Sequence, residues 1–172
     1  MRFLPFILLG YVAIGLQVGL APHLRIAGAV VNVGLIAAVF IALNAPREPA
    51  LLGAFVLGLM QDLVSSLPLG TFAFSYGVVA LALVGTQRVV YGTHPLTHAF
   101  VTLAGGLMVA LLLLLLGWVR ADARVGLGAS LGTALLTAAA APLLLWFVER
   151  FKRVFGFAPS RLGVSGRGMR AR

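Results

Sequence analysis

Residues Ala50 to Gly70 read A-L-L-G-A-F-V-L-G-L-M-Q-D-L-V-S-S-L-P-L-G, an apolar stretch in which Asp62 is the one ionisable residue. About 20 apolar residues are needed to cross the hydrocarbon of a bilayer as a helix. A carboxylate at membrane depth is costly, so Asp62 is by default a candidate functional residue, either structural, accepting bonds from Ser65, Ser66 or the free backbone N–H groups at the turn before the fourth span, or a pocket or partner contact. Helical spacing puts Ala50, Gly53, Ala54, Gly58, Gln61 and Ser65 on one side. Leu51, Leu52, Phe55, Val56, Leu59 and Leu63 fall on the other. Membrane helices associate through small residues that allow close approach and through polar residues that bond across, so the small stripe should face protein, with Asp62 at its flank.

The rest of the chain has the same character. With 61% hydrophobic and 10% charged residues it excludes a soluble globular domain of ordinary composition and reads as an all-α polytopic membrane protein. Apolar residues run continuously instead of alternating, which selects helices over barrel strands. Six spans are expected, near 3–21, 26–43, 49–64, 71–86, 96–119 and 128–148. The third and fourth are short, and the link Ser65 to Gly70 would also permit a re-entrant hairpin. The run at the N-terminus resembles a signal peptide, but Pro22 directly after the small-residue site and the spans that follow favour an uncleaved first span.

A net charge of +9 would suggest nucleic acid in a soluble protein. Here the bases lie between and after the spans, where the positive-inside rule accounts for them and nucleic acid is not implied. With both termini inside, Arg2, Arg47, Arg88 and the bases from Arg150 to Arg172 are cytoplasmic, against Arg25, Arg120 and Arg124 outside. Residues 1–149 thus form a transmembrane domain and 150–172 a basic cytoplasmic tail. Arg150, Lys152 and Arg153, beside Phe151, Phe155 and Phe157, suit the headgroups of anionic lipid.

No catalytic constellation is visible. The four acids, Glu48, Asp62, Asp122 and Glu149, are dispersed over different span ends, whereas acid–base chemistry needs groups within hydrogen-bond reach. His94 and His98 have helical spacing but no further ligand nearby, cysteine is absent, and no phosphate loop or dinucleotide fingerprint occurs. The expectation is a non-enzyme without metal or cofactor.

Other small-residue faces point to packing. The first span carries two: Gly10, Ala13, Gln17 and Ala21 on one side, Gly15 and Gly19 on another, one for the bundle and one for a partner chain. The fourth repeats the theme with Thr71, Ser75, Ala82 and Thr86, and the last with Gly132, Thr133, Ala134, Thr137 and the alanines from 138 to 141.

The run G-L-M-Q-D-L at 58–63, with a glycine displaced to Gly53 and P-L-G at 68–70, resembles the signature of the MreD family. The matching positions are Gly58, Leu59, Asp62, Leu63, Pro68 and Gly70. The resemblance implies a membrane scaffold or regulator of the bacterial cell-wall elongation (rod) complex in the cytoplasmic membrane. Its implied partners are the single-span protein MreC and a complex of MreB, RodA and a class B penicillin-binding protein. It also implies a helix arrangement similar to the substrate-binding subunits of energy-coupling-factor vitamin transporters. That similarity defines the rival function, a small-molecule uptake subunit, for which the candidate ligand groups are Gln17, Asn32, Gln61, Asp62, Tyr76 and Trp118.

Overall fold

The computed structural model describes residues 3–20, 23, 25, 26, 28–86, 95–119 and 126–150. They form six helices in chain order, α1 (Phe3–Leu20), α2 (Val33–Asn44), α3 (Arg47–Val64), α4 (Thr71–Thr86), α5 (Pro95–Val119) and α6 (Leu127–Arg150), with no strand among the described residues. Within α5 and α6, Leu96–Val119 and Leu127–Val148 are long and apolar enough to cross a membrane, while α1, α2 and α4 contain shorter apolar helices.

α2 is the hub. It touches each of the other five helices, and every residue from Val33 to Ala42 is buried. A helix that is apolar all round must find apolar surroundings on every side, and here the other helices supply them. Outside this centre, Leu52, Leu81, Phe100, Leu111, Leu135, Leu143 and Trp146 are all more than half exposed. So wide an apolar exterior is the pattern of a bundle whose solvent is lipid.

The small stripe of α3 faces inward, with Ala50, Gly53, Ala54, Leu57, Gly58, Gln61 and Asp62 buried; Leu52, Phe55, Val56 and Leu63 face out. On α4 the expectation holds for Thr71 and Ser75 and fails beyond them: Ala82 and Thr86 are exposed, and Val79, Ala80 and Leu83 are buried instead. α4 packs on α2 and α5 as well as on α3, and the residues it buries beyond Tyr76 are aliphatic.

The second span differs most from its sequence reading. The helix begins at Val33, not near Ile26, and its 12 residues rise about 18 Å. The preceding segment turns on itself, Ile26 and Ala29 exchanging N–H···O bonds of 3.0 and 2.9 Å. Non-helical backbone is tolerated at membrane depth where protein or a cavity satisfies its polar groups. The N–H groups of Val30 and Asn32 donate to Thr133 Oγ1 (3.2 Å) and Thr137 Oγ1 (2.9 Å) of α6, and that of Val33 to Gln17 Oε1 of α1 (2.6 Å). Asn32 caps α2 by accepting from the Leu35 N–H at 3.0 Å.

Candidate functional site

The α3–α4 corner is built by the signature residues. Gly58 lets the two helices touch: a Cβ there would lie 2.4 Å from Ala73 Cα and 2.6 Å from the Phe72 carbonyl oxygen. One turn later on the same face Asp62, 3% exposed, meets the start of α4. Its Oδ1 accepts from the Phe72 N–H (2.8 Å), and its Oδ2 from the N–H groups of Gly70 (2.9 Å) and Ala73 (3.0 Å). The first N–H groups of a helix have no partner within it, and the helix dipole favours a negative charge there. Asp62 thus caps α4 from a different helix, with charge-assisted bonds.

The turn between them is shaped to deliver those donors. Gly70 has φ +91°, a conformation that side-chain-bearing residues rarely adopt. The Pro68 carbonyl accepts from the Thr71 N–H (3.3 Å) and hydroxyl (2.6 Å). The Ser65 hydroxyl bonds the main-chain carbonyl of Asp62 at 3.3 Å, leaving the carboxylate to the backbone of the next helix.

Beside this corner lies a cavity of about 500 Å³. Its walls come from the ends of α1 and α3, the starts of α2, α4 and α6, the segment around Gly28 and the second half of α5. Gln17, Asn32 and Gln61 line it together with Ser65, Ser130, Thr133 and Thr137. Tyr76 stands behind: fully buried, it donates its hydroxyl to Asn32 Oδ1 at 2.7 Å. Gln61 Oε1 is buried with no hydrogen-bond partner among the described residues. A Cβ on Gly34 would lie 3.0 Å from that oxygen and 3.2 Å from Tyr76 Oη. A side chain at 34 would therefore require these side-chain ends to give by a few tenths of an ångström.

The structure sorts the residues singled out from sequence. Asp62, Gly58, Pro68 and Gly70 belong to the corner, and Gln61 to the cavity. On α1, Gly10 is buried against Leu57 and Met60 and Gln17 is half-buried, whereas added Cβ atoms at Gly15 and Gly19 would meet nothing within 4 Å. Of the rival ligand candidates, Gln17, Asn32 and Gln61 come together, Asp62 is engaged by backbone, and Trp118 is 83% exposed, away from the cavity. Arg150 is exposed at the end of α6; Lys152 and Arg153 lie outside the described residues, as does His94. Among the described residues no three His, Asp or Glu side chains could share a metal. Sequence reasoning missed Arg25 and Gly34 and took Thr133 and Thr137 for packing residues. The signal for the N-cap was present: an asparagine directly before an apolar run, V-N-V-G-L at 31–35.

Neither the search of curated proteins nor that of solved structures returns a match. A family model described as rod shape-determining protein MreD matches residues 1–155, nearly the whole chain and all of the corner and cavity. An apolar helical exterior, a signature whose carboxylate is committed to one helix junction, and that match together place the chain in the MreD family of rod shape-determining membrane proteins.

Proposed function

We propose that the protein is a non-enzymatic scaffold or regulator of the rod elongation complex. It would cross the cytoplasmic membrane six times with both termini inside and bind a single-span, MreC-like protein through α1. The observation that carries this reading is the position of α1 at the edge of the bundle. Among the described residues its close backbone neighbours are α2 and α3, met by its Gly10–Gln17 side, while added Cβ atoms at Gly15 and Gly19 would meet nothing within 4 Å. Small residues on a lipid-facing surface give a second helix close van der Waals approach. Through that partner the chain would support MreB, RodA and a class B penicillin-binding protein. Its tail, beginning at Arg150, would rest on anionic lipid.

Replacing Gly15 and Gly19 together by Leu is expected to lower copurification of MreC about tenfold while leaving insertion and thermal stability unchanged. Full retention would reject this face, and no association with the wild-type chain would reject the partnership. Topology has its own check. Since cysteine is absent, single cysteines in place of Arg25 and Arg172 report cleanly to a membrane-impermeant thiol reagent in intact cells. Labelling at 25 and protection at 172 are expected, and the reverse would invert the topology.

The cavity supports a second reading, a small-molecule uptake subunit with a helix arrangement like that of energy-coupling-factor binding subunits. That function requires an ATPase module. Copurification of a nucleotide-hydrolysing partner instead of MreC would decide for it.

A further inference from the structure

We infer that the cavity beside the α3–α4 corner is a binding site for a phosphate-bearing anion, with the apolar part of an amphiphile accommodated along one wall. At about 500 Å³ it falls within the range of small-molecule sites and far exceeds a single water. Its polar wall is rich in donors. The oxygens of Gln17 and Asn32 are already occupied by the Val33 and Leu35 N–H groups, so what these carboxamides have left is their NH₂ groups. Gln61, 7% exposed, presents an unpartnered oxygen; a buried acceptor in that state is costly, and it calls for a hydroxyl donor on the bound molecule, which a P–OH group or the glycerol of a headgroup supplies.

The charge has one sign. Among the described lining residues Arg25 is the one ionisable group, and it is exposed at the cavity rim. Asp62, the nearby acid, is not part of the lining and gives its carboxylate oxygens to three backbone N–H groups. The first residues of α2 and α6 also line the space, so the partial positive charge of two helix starts lies beside it. A carboxylate offers two acceptor oxygens; the NH₂ groups of Gln17 and Asn32 and a guanidinium match better the three or more of a phosphate, which arginine grips bidentately. Val64, Leu67, Phe72, Val109, Ala110 and Leu113 supply apolar lining. The phosphate could come from a lipid headgroup or from a soluble phosphate ester; the recognition chemistry is shared.

The test is thermal unfolding of the full chain in non-ionic detergent, titrated with short-chain phosphatidylglycerol, inorganic phosphate and uncharged diacylglycerol. A saturable rise in Tm with phosphatidylglycerol alone assigns the site to a lipid headgroup; one with inorganic phosphate as well assigns it to phosphate generally. Arg25→Gln and Gln61→Leu should each raise the apparent Kd about tenfold. Ser130→Phe, which fills the space from α6, should abolish the shift and guards against Gln61→Leu perturbing the fold. No saturable shift with either phosphate compound overturns the inference. So does an equal shift with diacylglycerol, or loss of binding in Arg25→Gln with full binding in the other two variants, which would move the anion to the surface.

Discussion

Replacing Asp62 by Leu is expected to be the most damaging single polar substitution in this chain, costing about 4 kcal/mol or more of stability. The carboxylate accepts three backbone N–H bonds of 2.8–3.0 Å at a buried helix start. Hydrogen bonds to a charged group are worth about 1.5–3 kcal/mol each, and a buried donor left unpaired carries its full desolvation cost. In lipid no water can take over that role. Asp62→Asn should lose about half as much, because it keeps one oxygen but turns an NH₂ toward backbone donors. Leu111→Ala is the control, since that side chain is 67% exposed on the lipid side. Thermal unfolding in detergent reads all three, and an Asp62→Leu protein as stable as the control would dismiss the capping role.

How much of this was legible in the sequence depends on how local its cause is. The stripe of α3 and the bounds of α4 follow from composition and spacing within one segment, and the structure agrees with them. The start of α2 does not. An apolar turn and an apolar helix have the same hydropathy. What holds the non-helical form here includes a pair of threonine hydroxyls more than 100 residues away. The exposed Ala82 and Thr86 teach the converse: a small residue permits close approach but does not compel it. The cavity gathers polar residues from α1, α2, α3 and α6, so each looked isolated in its own span. Asp62 was conspicuous because one charge in an apolar run needs a reason, and the unpaired N–H groups at the start of the next helix were among the donors within its reach; that they, and not Ser65 or Ser66, engage the carboxylate is set by the fold.

Gly58→Ala is expected to cost about 3–5 kcal/mol, although it adds a single methyl group to a helix. The atoms an added Cβ would strike, Ala73 Cα at 2.4 Å, the Phe72 carbonyl oxygen at 2.6 Å and Ala73 N at 2.7 Å, are backbone and cannot rotate aside. Normal contact between carbons begins near 3.5 Å, so α3 and α4 must separate by about 1 Å. Overpacking of this kind costs about 1–3 kcal/mol by itself. The same displacement stretches the 2.8–3.0 Å bonds from Asp62 toward the limit of hydrogen bonding, which adds the loss of the cap. Gly15→Ala makes the same chemical change where nothing lies within 4 Å, and should be neutral or stabilise by a few tenths of a kcal/mol through helix propensity. Because Gly58 and Asp62 serve one junction, the double variant Gly58→Ala with Asp62→Asn should lose clearly less than the sum of the two single losses, by about 1 kcal/mol or more. Strict additivity would mean that close approach and capping are separate devices. A Gly58→Ala protein as stable as Gly15→Ala would mean that the helices have room the structure does not show.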